Sequence, residues 1–499
     1  MMLRCPPDGS VTRAAHAAAT ADDNRLQYSI SRSLELKSEW QELSQVYLPH
    51  VGSRPPWRYS RQMSAMDARQ GWKIHLSATI LSACDVLRAV GPVLRERGIP
   101  FKGPASLDEL RKLNSGIWYG YTQTGKSLTV YPASRDSFIA LCRELDSLTR
   151  GLATGPAIPF DIRYSHGSNV YYRYGTFVPR KATTADTRDL VFSPSGEVME
   201  DRRDTPAKAP PWEEDPFSLS RSTGRSSVSS FLEQFKVFRT LTQRGKGGTY
   251  EAIDMAARPL RQCIIKEGRR HGETGWDGRD GYGRIRNEGT ILSALGKQGP
   301  FVPRVHEMRE ESNNAYLVLE KLEGLTLERF LTGFPRPLEE RISLHLARQL
   351  AALVAKVHSC GFVWRDCTPS NLIVGRDGRL RAIDFEGSCR ISEFEPVAWS
   401  TPDYSPPEVR SGYYLKAEKS NTPEDLFALG CCLYLLFEGR SPFLNHDYSR
   451  SPAFDRLKGA RIAKIITRLL SVEPDLRPDA AAVSKCLRPK RATSYAKDR

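Results

Sequence analysis

Three stretches of the chain carry acidic, amide and basic residues at spacings that suit phosphoryl transfer. Such a transfer needs a loop to hold the phosphates, a cation on them, ligands for a metal, and a carboxylate near the attacking hydroxyl. The segment Trp364-Arg365-Asp366-Cys-Thr-Pro-Ser-Asn371 is followed by Ile-Asp384-Phe385-Glu386, with the turn GRDGR between two short apolar runs. Asp366 can orient or deprotonate a hydroxyl, while Asn371 and Asp384 offer the oxygen ligands that Mg²⁺ prefers. Upstream, the turn Gly245-Lys-Gly247-Gly248 lies between the extended runs KVFRTLT and TYEAID. Glycines there let backbone N–H groups approach a triphosphate without obstruction. Lys266, at the end of the apolar run in CIIKEG, can reach the α- and β-phosphates, and Glu288 in RIRNEGTILSAL is its expected partner. Each of these taken singly is an ordinary turn, strand end or helix. Their order and spacing together are the signal, and they imply ATP or GTP with Mg²⁺.

With Ser405-Pro406-Pro407-Glu408 and the late Arg477 expected to pair with Glu408, these segments resemble the eukaryotic-type protein kinase family over about half the chain. Thr422-Pro423-Glu-Asp425 reads as a capping box with Thr422 at the N-cap, and in the kinase reading Asp425 is a buried strut under the catalytic loop. The departures are Trp364 for the usual histidine, Thr368 for the usual lysine, Tyr250 for the third loop glycine and Glu386 for the glycine after D-F. None removes the base or a metal ligand, so an active enzyme is expected, with Glu386 stiffening its turn.

The N-terminal half carries a second set of chemistry-bearing residues. Lys73 and His75 lie two apart in a strand pattern and so point to one face. Lys102 closes GIPFK, Lys126 opens a strand after TQTG, Arg163 sits in FDIRY and Arg173 in VYYRYG. Singly, such lysines and arginines are solvated edge residues.

The runs WKIHLSAT, IPFK, GKSLTVYP, FDIRY and YYRYG resemble the phosphoserine/phosphothreonine lyase domain of class III lanthipeptide synthetases. PPWEEDPF, IIKEGRRHGETGWDGRD and the D-F-E triplet resemble the same family's kinase part, so the resemblance spans residues 70–480. It implies β-elimination, with Lys102 as base, His75 as acid, and Lys73, Lys126, Arg163 and Arg173 as phosphate ligands. The implied reaction is Ser/Thr phosphorylation of a ribosomal precursor peptide, followed by loss of phosphate to give dehydroalanine or dehydrobutyrine. Family members continue into a cyclase, whereas this sequence ends at Arg499; ring formation is then absent, spontaneous or the work of a separate cyclase protein. Two other readings stay open: a signalling Ser/Thr kinase whose N-terminal domain only binds phosphopeptides, and a non-catalytic scaffold.

The elements that must position these residues suggest an α+β multidomain chain. An irregular segment (1–70) precedes an α/β lyase-like domain (71–180), a Pro/Ser-rich linker (181–234), a bilobal kinase fold (235–485) and a basic tail (486–499). In the α/β domain, SATILSACDVLRAVGPVLRERG is expected to be a helix opened by Ser77 or Thr79, and SFIALCRELDSLTRG a second helix. The first twenty-five residues or so read as poorly ordered. Over 499 residues, 40% are apolar and 26% charged, the composition of a globular protein. No apolar run is long enough to span a bilayer and no secretory signal opens the chain, so a cytoplasmic location is expected. The ten cysteines form no CxxC pair and no zinc pattern, which suits reduced thiols. The net charge of +15 is dispersed and lacks a nucleic-acid-binding motif, so it suits phosphate and peptide ligands and no nucleic-acid partner.

Overall fold

The computed structural model describes residues 29–52, 55–178, 189–218, 230–391, 393, 399, 401–410, 421–443, 452–457 and 459–488. The expected disorder of the first residues, Cys5, most of the basic tail and parts of the Pro/Ser-rich linker lie outside them. The chain divides into two compact units, one of Tyr28–Ile285 with Arg309–Tyr316, the other containing Arg286–Met308 and Leu317–Arg499.

In the first unit the expectation of an irregular segment up to residue 70 is corrected. Helix α1 (residues 29–47) buries Ser29, Ser33, Leu36, Trp40 and Ser44, a spacing of three to four that marks one helical face. Three of these five residues are serine, which hides the period from an apolar count. Strands β1 (His50–Val51) and β2 (Trp57–Tyr59) follow and join the domain's sheet.

That sheet has seven strands in the order β1-β2-β4-β5-β3-β7-β6, all antiparallel. The others are β3 (Gln70–Ser77), β4 (Phe101–Pro104), β5 (Lys126–Val130), β6 (Ile162–Arg163) and β7 (Val170–Thr176). Helices α2 (Ala83–Glu96), α3 (Leu107–Ser115) and α4 (Arg135–Thr149) connect them. Helix α2 starts at Ala83, later than expected, because residues 79–82 form a turn in which Thr79 and Ser82 bond to each other. Strand alternation sorts the faces: Trp72 stacks on Phe138 of α4 at 5.4 Å, and Tyr172 packs edge-on against both rings. Ile74 and Leu76 are buried on the same side. Burying a side chain of that size contributes about 2–3 kcal/mol. The odd positions Lys73 and His75 therefore face away from α4.

Part of the stretch expected as linker is built structure. Strands β8 (Leu190–Phe192) and β9 (Val198–Glu200) form a hairpin, and Asp201, Asp215 and Phe217 pack into the N-terminal domain. Beyond it, β10 (Phe235–Arg244), β11 (Gly247–Asp254) and β12 (Arg261–Arg269) form a meander. It belongs to a five-stranded sheet, β10-β11-β12-β14-β13, completed by β13 (Val305–Glu311) and β14 (Asn314–Glu320). Helix α5 spans Gly281–Gly296.

The rest of the second unit is mainly helical: α6 (Glu340–Ser359), α7 (Pro423–Glu438), α8 (Arg461–Leu469) and α9 (Ala480–Cys486). Helix α7 is buried almost throughout, and Ser343 of α6 donates to its Leu436 carbonyl. Strand β15 (Gly324–Thr326) pairs with β17 (Leu372–Gly375), which forms a hairpin with β18 (Leu380–Ala382); β16 (Phe362–Val363) and β19 (Cys389–Arg390) pair with each other, and β16 to β19 lie between α6 and α7. This is a kinase domain with a sheet-rich N-lobe and a helical C-lobe, preceded by an N-terminal α/β domain. Among the described residues no helix is long and apolar enough to cross a membrane.

Candidate functional site

The N-terminal cluster follows from strand register. Lys102 on β4 pairs with Thr129 on β5, Thr129 with His75 on β3, His75 with Tyr171 on β7, and Tyr171 with Arg163 on β6. Residues paired across antiparallel strands share a face, so this row sets Lys102, His75 and Arg163 on one surface. Lys102 and His75 are two strands apart, about 10 Å between backbones. Lys73 pairs with Arg173 one step along the same face.

Polar contacts then tie the groups together. His75 Nδ1 lies 2.5 Å from Asp161 Oδ2, which leaves Nε2 outside that bond. Lys126 Nζ and Arg173 Nη1 reach Asp161 Oδ1 at 4.0 and 3.5 Å. Lys73 Nζ donates to the Thr176 carbonyl at 3.2 Å and lies 3.5 Å from Asp201 Oδ2. Arg173 Nη2 donates to the Arg202 carbonyl at 2.5 Å, while its buried Nε and Nη1 have no hydrogen-bond partner. Lys102 Nζ sits over the Trp57 ring at 4.2 Å. Arg163 is the least engaged: its Nε donates to the Ser168 carbonyl at 2.8 Å and its guanidinium covers the Tyr171 ring.

Lys73, His75, Lys126 and Arg173 are only 3–5% exposed, so burial dominates their protonation. Burial first, then Lys73, Arg203 and Lys126, draws Lys102 down to about 7. Burial draws Lys73 down to about 8, against the pull of Asp201, and lowers Lys126 as well. His75 falls to about 3 by burial, which outweighs the opposing effect of Asp161. Burial raises Asp161, but Lys126, His75 and Arg173 outweigh it and hold the carboxyl at about 2.

Four members of this cluster escaped the reading of the sequence. Asp161 and Tyr171 stand inside quoted motifs, but only the register shows that they touch or flank His75. Asp201 and Arg203 lie in the presumed linker; Arg203 Nη2 reaches Asp189 Oδ2 at 2.6 Å and its Nε reaches Asp201 Oδ2 at 3.9 Å. No spacing in the sequence announces them.

In the same unit the glycine turn is the tip of the β10–β11 hairpin, with Arg244 opposite Gly247. A Cβ at Gly247 would collide with the Glu267 carbonyl, and one at Gly245 with the Asn114 carbonyl. Close approach of the protein's own backbone therefore already demands these glycines. Tyr250, in place of the third glycine, donates to Glu267 Oε2 at 2.8 Å. Lys266 lies on β12 opposite Thr249, next to the hairpin tip.

The second unit holds the loop of residues 364–371, the candidate for catalysis. Asn371 Nδ2 donates to the Asp366 carbonyl at 3.0 Å and to Asp366 Oδ2 at 2.7 Å, which turns its own Oδ1 outward. Thr401 donates to Asp366 Oδ1 at 2.8 Å. Asp425 is fully buried and accepts the Trp364 and Arg365 amides at 2.7 and 2.6 Å, with His358 Nε2 at 2.9 Å, so it is a strut under the loop. Arg365 and Asp384 both adopt left-handed backbone, φ 68 and 63. Such conformations persist when neighbours over-determine them. Asp425 fixes the first, and the Trp364 indole N–H fixes the second by donating to the Asp384 carbonyl at 3.0 Å. The Trp364 ring stacks on Phe385 at 5.3 Å. Buried Glu288 accepts the Phe385 amide at 3.0 Å. Arg477 pairs with Glu408 through both guanidinium nitrogens, at 2.5 and 3.0 Å, as expected. Thr422 makes no capping bond; the N-terminal contact of α7 is Glu424 accepting the Asn421 amide at 3.2 Å.

The outward Asn371 oxygen and the Asp384 carboxylate make a hard oxygen set that fits Mg²⁺. No group of three or more His, Cys, Asp or Glu side chains among the described residues forms another metal site.

Residues 49–228 match the family described as RamC, N-terminal domain, and residues 245–491 match the protein kinase domain. The "Probable SapB synthase" of Streptomyces coelicolor is 30% identical over 434 residues, covering 84% of this chain and 44% of that protein. Serine/threonine-protein kinase pkn2 of Myxococcus xanthus is 28% identical, covering 50% of this chain and 31% of that protein. For PrkC of Bacillus subtilis the identity is 31%, covering 40% and 32%. The chain thus spans less than half the length of each of these relatives.

Proposed function

We propose, from the premise that this chain is a class III lanthipeptide synthetase-like protein carrying a RamC-type N-terminal domain and a serine/threonine protein kinase domain, that it dehydrates a ribosomal precursor peptide in two steps. In the first, Asp366 orients and deprotonates a Ser or Thr hydroxyl for attack on the γ-phosphate of ATP or GTP. Lys266 steadies the α- and β-phosphates. Asn371 and Asp384 would hold Mg²⁺, which supplies charge neutralisation at the transferred phosphoryl group.

In the second step the neutral Lys102 amine removes the α-proton of the phosphorylated residue. The Cβ–O bond breaks as the Cα=Cβ bond forms, and His75 Nε2 protonates the departing phosphate. Arg173, Lys73 and Lys126 hold the phosphate, with Arg163 at the end of the row. Dehydroalanine or dehydrobutyrine remains. One observation carries this reading: on a single face of the sheet, a lysine drawn to about 7 stands in row with a carboxylate-anchored imidazole, beside an arginine two of whose buried nitrogens make no hydrogen bond. A lysine near 7 is an effective base at neutral pH. A dianionic phosphate brought against the His75 ring would favour the imidazolium and restore it as an acid.

A binding-only N-terminal domain is the second reading, favoured by the same histidine being held neutral at about 3. Mass spectrometry of a candidate precursor peptide, incubated with enzyme, Mg²⁺ and ATP, separates the two. Dehydration is expected as the loss of one water per modified residue. A stable gain of phosphate would sink the elimination half, and an unchanged mass would sink both. A synthetic phosphopeptide without nucleotide should release phosphate.

A further inference from the structure

The tip of the nucleotide hairpin is bonded to the N-terminal domain within one compact unit. Helix α3 ends at Gly116, whose φ of 70 stops the helix and leaves its last carbonyls without helical partners. One of them, Ser115 O, accepts the Gly245 amide at 3.0 Å. A Cβ at Gly245 would collide with the neighbouring Asn114 carbonyl, so hairpin and helix end meet backbone to backbone. On the other side, the Arg269 amide donates to the Lys246 carbonyl at 2.8 Å. The Arg269 guanidinium bonds to the Tyr121 hydroxyl and to Glu267 Oε2, the latter at 2.9 Å. Glu267 in turn takes the Tyr250 hydroxyl. The hairpin tip is therefore gripped by Ser115 directly and by Tyr121 through Arg269.

We propose that Tyr121 and the C-terminal turn of α3 are positioning elements of the phosphoryl-transfer site. In most hairpins of this kind a glycine tip is free to flap, and its closure over the phosphates costs conformational entropy. Here the N-terminal domain pre-organises the tip, so the nucleotide is bound by a loop already in place. The grip also leads inward. Asn114 donates to the Ala78 carbonyl at 3.1 Å and accepts the Gly125 amide at 3.0 Å, the residues just beyond the His75 strand and just before Lys126. Tyr121 packs edge-on against Phe160, which precedes Asp161. Binding linkage is reciprocal, so a nucleotide bound by the hairpin also acts on the elements that hold Lys126 and Asp161. The primary claim rests on the kinase half of the proposed function alone.

The test uses the full chain with Tyr121→Ala and Tyr121→Phe, measuring KM and kcat for peptide-independent MgATP hydrolysis. The Kd of the Mg²⁺ complex of a non-hydrolysable ATP analogue is measured by calorimetry. Loss of the hydroxyl alone should raise KM and Kd about fivefold, the size of one hydrogen bond, and loss of the whole side chain about tenfold, with kcat within about twofold of the parent. A kcat that falls while KM and Kd hold would place the residue's role elsewhere and overturn the proposal. Unchanged KM and Kd in both variants would overturn it too. Should Tyr121→Ala fail to fold by circular dichroism, Tyr121→Phe decides, since it keeps the ring against Phe160 and removes only the bond to Arg269. Release of phosphate from a phosphopeptide does not enter either readout, so an inactive elimination site would leave the result intact.

Discussion

The two centres of the chain are built in opposite ways. The proposed phosphoryl-transfer centre gathers Asp366, Asn371 and Asp384 from one short stretch of loop and hairpin, with carboxylates and an amide that suit a cation. The N-terminal cluster draws Lys73, Lys102, Lys126, Arg173 and His75 from four strands spread over a hundred residues, and suits an anion. The first is held by hydrogen bonds to a buried aspartate and an indole. The second is held by sheet register, with burial shifting its protonation. A loop site can be specified by spacing alone, whereas a sheet site needs the strand order before its members can be seen together.

If the two centres work separately on successive bonds, single substitutions should divide them cleanly. The largest effect is expected from Asp384→Asn, which removes a metal ligand: phosphorylation should fall about a thousandfold or more. Phosphate release from a synthetic phosphopeptide should stay at the parent rate. Loss of both activities would show that the centres are not separable. Lys102→Met is the converse. Elimination should fall by about 10²–10⁴, as expected for loss of a general base, and phosphorylated peptide should accumulate. That variant should also melt a few degrees higher near pH 6, because a buried ammonium gives way to an apolar chain of similar length.

The pH dependence sharpens the contrast at smaller amplitude. Lys102 is drawn down to about 7, so the fraction of neutral amine, and with it the elimination rate, should rise nearly tenfold per pH unit below 7 and level off above it. A rate flat between pH 5.5 and 7.5 would exclude Lys102 as the base. Stability carries the same signature. Between pH 7 and the ordinary lysine value, the folded protein binds fewer protons at this site than the unfolded chain does. Stability should therefore increase with pH across that window, and Lys102→Met should remove its share of the increase while those of Lys73 and Lys126 remain.

The two constructions also explain what could be read in advance. Asp366, Asn371, Asp384 and Arg477 were legible because the motif fixes their order, and Asp425 because it opens a helix at a set distance downstream. Lys73 and His75 were legible as a pair because alternation in one strand puts them on one face. Asp161, Asp201 and Arg203 were not, since a carboxylate two strands away, or beyond a hairpin, leaves no trace in local spacing. Helix α1 was missed because Ser29, Ser33 and Ser44 occupy its buried face with Leu36 and Trp40, so the period is present in position but weak in hydropathy. The glycines of the turn were legible for a partial reason: they admit phosphates, but they also admit Asn114 and Glu267.

The smallest expected effect concerns Trp364, which stands where the kinase pattern has a histidine. Its indole N–H holds the Asp384 carbonyl at 3.0 Å, its ring stacks on Phe385, and its own carbonyl takes the Ser388 hydroxyl at 2.9 Å. The side chain thus helps to hold Asp384 in left-handed backbone, a region that aspartate enters more readily than most residues. Trp364→Phe keeps the stack and deletes the N–H, removing one hydrogen bond worth about 1 kcal/mol. Phosphorylation should weaken severalfold, with the apparent Mg²⁺ requirement shifted to higher concentration, because Asp384 is less firmly placed. Trp364→His offers a ring nitrogen to the same carbonyl and should recover part of the loss. Phosphopeptide elimination should be indifferent to both. Equal activity of the phenylalanine variant and the parent at limiting Mg²⁺ would show that the backbone of Asp384 is set by Asp425 and Glu288 without the indole.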